Sequence, residues 1–223
     1  PGLKNAALRG EWKHKNGQSG KFSYPAPPVP AEGVTATICK DWQEFKEWAT
    51  KSRENLGTTL FRGHGSSQFR LTTTLHRSGH SRLERYCRET LQQFRAHAEA
   101  VLGFRFDMRN GDDYAMLLGL AQHHGLPTPL LDWTRSPYIA AFFAFADALE
   151  LGSTRPNTSH VRIYGLTNEF INQTSPNVVT IPSIFPYVWT LSVSARNNPR
   201  LYAQQGQFLV TNIADLERYL TVL

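Results

Sequence analysis

The chain has 223 residues, 40% of them hydrophobic and 19% charged, with a formal net charge of +6 and a pI near 9.5. That length and composition suit one packed domain with a short extension and exclude a disordered chain. The basic balance allows an anionic partner such as a nucleotide or nucleic acid, and two cysteines, Cys39 and Cys87, are too few for a disulfide framework and point to a reducing cytoplasm.

Residues 1–33 read as an arm separate from the rest. LRGEWKHKNGQSGKFSY predicts a short β-hairpin or a loose arm carrying the aromatics Trp12 and Phe22, and PAPPVPAEG predicts a stiff, extended linker. The chain starts with Pro rather than Met, as a piece of a longer protein does, and shows no basic-then-apolar leader. Residues 34–223 then read as a single α+β domain.

TATIC predicts a short strand, followed by a helix capped by Asp41, with Trp42, Phe45 and Trp48 spaced to pack in a core. TTLFRGHGSSQFRLTTTLHR has the content of a strand broken at Gly-His-Gly. SRLERYCRETLQQFRAHAEAVLG predicts a long helix, and DDYAMLLGLAQHHG a second one, capped by its acidic pair and stopped at Gly125. LLDWT is a short buried segment. SPYIAAFFAFADAL is a helix with Ser136 as cap and Pro137 in the first position. Its apolar run is too short to span a bilayer and carries Asp147. HVRIYGL, NVVTIPSIF, YVWTLSV and GQFLVTNI are strand-like, and LERYL is a closing helical turn. The fold class is α+β: a mixed or antiparallel split sheet with flanking helices, helices mainly N-terminal and strands mainly C-terminal.

Polar groups gather where the sequence is most apolar. Arg62 stands between a strand and a glycine-rich turn, where its fork of donors suits a phosphate, or equally a salt bridge to Asp132. Gly63 and Gly65 allow a close backbone approach. Gln122, His123 and His124 end a helix, where the dipole alone favours histidine; their spacing fits no standard metal motif, so no metal is expected. Asp132 in apolar surroundings needs a partner, and Thr134 and Ser136 border a helix start that can receive an anion. Gln204 and Gln205 precede Gly206 in RLYAQQGQF and could orient a ligand. The reading that joins these is one cleft: His123, Asp132 and Thr134 with Arg62 and Gln205.

LFRGHGSSQFRLTTTLHR, LAQHHGLPTPLLDWTRSPYIAAFFAF and RLYAQQGQF, in that order, resemble the FRG domain family, named for Phe-Arg-Gly, here Phe61-Arg62-Gly63. The likeness runs from about residue 40 to about residue 215. It departs from the family pattern at His124, where an aromatic is usual, and at Pro129, where an arginine is usual. The family is a bacterial and phage-associated module whose pattern is similar in outline to ADP-ribosyltransferases. That resemblance implies an NAD co-substrate held by Arg62, Gly63, Gln122, Thr134 and Ser136, with catalytic roles for Asp132, Gln205 and His123. Gln204-Gln205-Gly206 would take the late position, which holds a glutamate in those enzymes. Asp132 is then the leading carboxylate, with Glu169 behind it. The acceptor would be DNA, RNA or protein. The alternative is a non-catalytic module that binds nucleotide or nucleic acid, and the plainest reading is a structural domain with a satisfied polar core.

Overall fold

The computed structural model describes residues 7–25, 36–79, 82–152, 160–173, 186–191 and 206–220. They fall into two units, a hairpin near the N-terminus and a larger body from Thr37 to Glu217. In the hairpin, β1 (Ala7–Lys13) pairs antiparallel with β2 (Ser19–Pro25). The turn closes through Gly17 at φ +89°, whose N–H donates to His14 O at 3.0 Å. Gly20 lies opposite Trp12, and a Cβ there would meet the indole at 2.6 Å, so the missing side chain lets the ring lie across the hairpin. Trp12 itself is half exposed; the side chain of Phe22 and the proline-rich segment 26–33 lie outside the described residues.

The larger body is built on a five-stranded antiparallel sheet in the order β5-β3-β4-β7-β6. Its strands are β3 (Thr58–His64), β4 (Leu130–Thr134), β5 (Arg162–Thr167), β6 (Val188–Leu191) and β7 (Gly206–Thr211). The helices are α1 (Trp42–Leu56), α2 (Thr74–Arg77), α3 (Leu83–Arg85), α4 (Leu91–Leu102), α5 (Gly111–His123), α6 (Pro137–Gly152), α7 (Asn168–Gln173) and α8 (Leu216–Leu220). A single π-helical turn, Tyr86–Thr90, joins α3 to α4, and Gln92 Nε2 donates to Cys87 O at 3.0 Å there, which satisfies a carbonyl in the widened turn. Helices dominate the N-terminal half and strands the C-terminal half, as the fold class requires. NVVTIPSIF, expected as a strand, lies outside the described residues.

Local chemistry explains most boundaries. Asp41 caps α1 by accepting from Glu44 N at 2.9 Å, and Gly57 ends it at φ +59°. Ser136 Oγ accepts from Ile139 N at 3.3 Å at the start of α6. Three expectations are corrected. Residues 36–40 form no strand; Ile38 is exposed and the segment pairs with no strand among the described residues. The cap of α5 is Asn110, whose side chain accepts from both Asp112 N and Asp113 N, while the acidic pair sits within the first turn. Of the aromatics of α1, Phe45 is buried, but Trp42 is half exposed and lies against Phe45 and Tyr138 instead of entering the core.

Two packed regions fix the sheet. On one, Leu91 of α4 and Leu117 and Leu118 of α5 meet Leu130, Phe208 and Val210 of β4 and β7. On the other, α6 lies on β3. A Cβ at Gly63 would stand 2.0 Å from Ala140 O, and one at Gly65 would stand 2.7 Å from Ala148 N. These glycines and the alanines Ala140, Ala141 and Ala144 bring helix and strand to backbone contact. Strand β3 therefore runs on through Gly63 and His64 instead of breaking there.

Candidate functional site

Strands β3 and β4 share one register pair, Phe61 with Thr134. Beyond it, the side chain of Arg62 makes the link: Nη1 donates to the backbone carbonyl of Asp132 at 2.6 Å. Its Nε donates to His64 Nε2 at 3.0 Å. The expected alternative of a salt bridge to the Asp132 carboxylate is not what forms; the bond goes to the carbonyl. Among the described residues Arg62 has no carboxylate within ion-pair distance, and its Nη2 has no partner. Burial is the main cause holding the guanidinium below its ordinary pKa, with Asp132 pulling upward and Arg77 adding to the lowering. Arg77, at the end of α2, spends its donors on Thr72 O and Thr74 Oγ1 and likewise has no carboxylate partner among the described residues.

His64 completes this cationic corner. It is 7% exposed and accepts from Arg62 at Nε2, so its proton resides on Nδ1, 3.4 Å from Phe69 O. Burial, then the charge of Arg62, lowers its pKa to about 4. Its ring meets Tyr164 edge-on at 5.2 Å. Arg162 bridges Tyr164 Oη at 3.2 Å and Glu217 Oε1 at 2.9 Å, so this neighbouring arginine is already neutralised. Of the other two cations that bear on His64, Arg62 and Arg77, neither has an ion-pair partner among the described residues.

A second chain of bonds orients the Asp132 carboxylate. Thr128, fully buried, donates through Oγ1 to Gln122 Oε1, and Gln122 Nε2 donates to Asp132 Oδ2 at 2.9 Å. Thr128 Oγ1 in turn accepts from Leu130 N at 3.3 Å. Asp132 is exposed, which corrects the expectation of apolar surroundings: it is the outward residue of an otherwise buried strand. Its Oδ1 has no hydrogen bond among the described residues.

The other expected residues are placed as follows. Thr134 is buried and its Oγ1 accepts from Ser136 N at 3.2 Å, so both hydroxyls of this pair serve the turn into α6. Gly63 is occupied by the approach of α6. His123 is exposed on the end of α5, edge-on to the His124 ring, with no hydrogen bond among the described residues. Glu169 is in the first turn of α7. Gln204 and Gln205 lie outside the described residues. Among the described residues no three His, Cys, Asp or Glu side chains gather as a metal site.

Three contributors escaped the sequence reading: His64, Arg77 and Thr128. The signal for His64 was its place two residues after Arg62, which puts both side chains on one face of a strand. Arg77 had no such signal, because only the fold returns α2 to the end of β3. Thr128, between two prolines, reads as a turn residue.

The described body is thus an α+β domain whose antiparallel sheet carries a part-buried arginine with no carboxylate in ion-pair contact among the described residues. Its Phe-Arg-Gly triplet lies in β3, and residues 57–151 match the model of the FRG domain family. The match runs from the start of β3 through nearly all of α6 and includes Arg62, Arg77, Gln122 and Asp132. No curated protein and no solved structure matches the chain. No helix among the described residues is long and apolar enough to cross a membrane.

Proposed function

We propose that this domain holds the phosphates of a nucleotide on Arg62, and that the nucleotide is NAD, used as an ADP-ribosyl donor toward nucleic acid or protein. The observation that carries the reading is Arg62 itself. A cation withdrawn from water costs free energy unless something anionic compensates it. Among the described residues its hydrogen bonds go to a carbonyl and a neutral imidazole, the carboxylates of Asp132 and Asp147 act on it only from beyond ion-pair distance, and a second cation, Arg77, opposes them. The remaining Nη2 donors and Arg77 together suit a phosphate group.

NAD combines anionic phosphates with a cationic nicotinamide ribosyl centre, and Arg62 is anchored on the very residue whose carboxylate is oriented and open at Oδ1. When bound, NAD supplies an ADP-ribosyl group on a good leaving group, nicotinamide. Asp132 then stabilises positive charge at the ribosyl carbon or takes the proton from the acceptor. Gln122 is a positioning residue: it fixes one oxygen of that carboxylate and leaves the other for the reaction. The alternative of binding without catalysis is favoured by one fact, that the late turn reads Gln204-Gln205-Gly206 and brings no carboxylate.

Mass spectrometry of NAD incubated with the protein separates the two. Single-stranded DNA, RNA and cell lysate serve as acceptors, with Arg62→Ala and Asp132→Asn alongside. Released nicotinamide with a transferred ADP-ribosyl mass, abolished in both folded variants, supports the enzyme. Binding of NAD by wild type without release of nicotinamide assigns the non-catalytic reading. Neither binding nor turnover by folded protein refutes both.

A further inference from the structure

Helix α6 buries one side on β3 and leaves another bare. Tyr138 is 45% exposed, Phe142 68%, Phe145 51% and Leu149 80%. Their spacing of four, three and four residues sets them in one stripe, within about 60° of arc at 3.6 residues per turn. Trp42, 51% exposed, extends the stripe beyond Tyr138, with ring centroids 5.9 Å apart. Taking about 200 Å² for each large apolar side chain, these five residues expose about 600 Å². That is the upper end of the range for the largest apolar patch on a monomer, and such patches often serve a function.

We infer that this stripe is a self-association surface, on which α6 of one copy packs antiparallel against α6 of a second copy of this chain. Three features select a second copy as occupant. Two stripes together bury about 1,200 Å², the lower end of what specific interfaces need. The stripe is self-complementary about a two-fold axis between Phe142 and Phe145: large residues meet at the centre, and Tyr138 of each copy faces Leu149 of the other. It carries no charge, and α6 has no Lys or Arg, in a chain whose net charge of +6 would oppose association elsewhere on its surface. The antiparallel arrangement also sets the two helix dipoles favourably. The proposal is independent of the NAD reading, because it uses none of the residues assigned there.

The test is sedimentation equilibrium of the whole chain from about 1 to about 200 µM, a range that brackets micromolar association, for wild type and for Phe142→Glu/Phe145→Glu. The expected result is a reversible dimer in wild type and a monomer in the double variant, with the same circular dichroism spectrum. A second measurement stands free of that variant's folding. Tyr138→Cys chains are mixed with Leu149→Cys chains and oxidised, and the mixed disulfide should form at least about tenfold faster than either homodimer, a difference of about 1.4 kcal/mol in barrier. A wild type that stays monomeric up to 200 µM overturns the inference; that is the result if another segment of this chain or a different protein covers the stripe. A dimer that survives in the folded double variant overturns it too, by assigning the contact to another face.

Discussion

Replacing His64 by glutamine should flatten the acid side of the stability profile. His64 accepts a hydrogen bond from Arg62 and can gain a proton only at the nitrogen that faces that donor. Burial and the cations Arg62, Arg77 and Arg162 take its pKa down to about 4. Between about pH 4 and about pH 6.5 the unfolded chain therefore binds a proton that the folded chain does not. Stability is fully present above the unfolded value and is lost as pH falls toward the folded one. With about 1.4 kcal/mol per pKa unit, the loss is on the order of 3 kcal/mol by pH 4. For a body of this size that corresponds to roughly 10 °C in Tm. Glutamine keeps an acceptor for Arg62 and cannot titrate. His76, also lowered by burial, contributes in both proteins and cancels in the comparison. Thermal denaturation by circular dichroism at pH 7, 6, 5 and 4 reads the difference directly. If wild type and His64→Gln lose Tm in parallel over that range, His64 is not the neutral, buried acceptor described here.

Further perturbations probe other links in the argument. Gly63→Ala puts a Cβ 2.0 Å from a helix carbonyl, which neither element can yield cheaply. It should cost at least about 1–3 kcal/mol of stability in urea titration, since overpacking forces backbone shifts. Gly111→Ala, with open space around the added carbon, is the matched control and should be near neutral. Asn110→Ala removes an acceptor for two amides at the start of α5 and should lower stability by about 1 kcal/mol in the same titration. Gln122→Leu should reduce kcat for nicotinamide release while leaving KM for NAD little changed, because it loosens the Asp132 carboxylate and not Arg62. An equal rise in KM would count against a positioning role.

Much of the fold was legible because local chemistry declared it. The Asp41 cap, the Gly125 stop and the Ser136-Pro137 start are short-range signals, and each sits at a helix boundary as expected. LLDWT declared a short buried segment by its apolar residues, but not that it would be a strand with Asp132 as its one outward side chain. That depends on which element covers each face, a tertiary fact. The glycines of Phe-Arg-Gly-His-Gly were read as room for a ligand, yet the room at Gly63 and Gly65 is taken by Ala140 and by Asp147 and Ala148 of α6. A sequence shows that a side chain is missing, not what fills its place. Arg62 stood out from its context, while its partners, a carbonyl 70 residues on and a histidine two residues on, emerged only with the strand register.

The most direct test of the account is calorimetric titration of ADP-ribose into wild type, Arg62→Lys and Arg62→Ala, each first shown to be folded by circular dichroism. If Arg62 is held ready for phosphate, wild type binds. Lysine keeps the charge but loses the fork, and weakens binding by about tenfold. Alanine weakens it by about 100-fold, as the loss of one or two charge-assisted hydrogen bonds requires. Equal affinity in all three proteins, or no binding by wild type, would contradict the claim that this arginine awaits an anion.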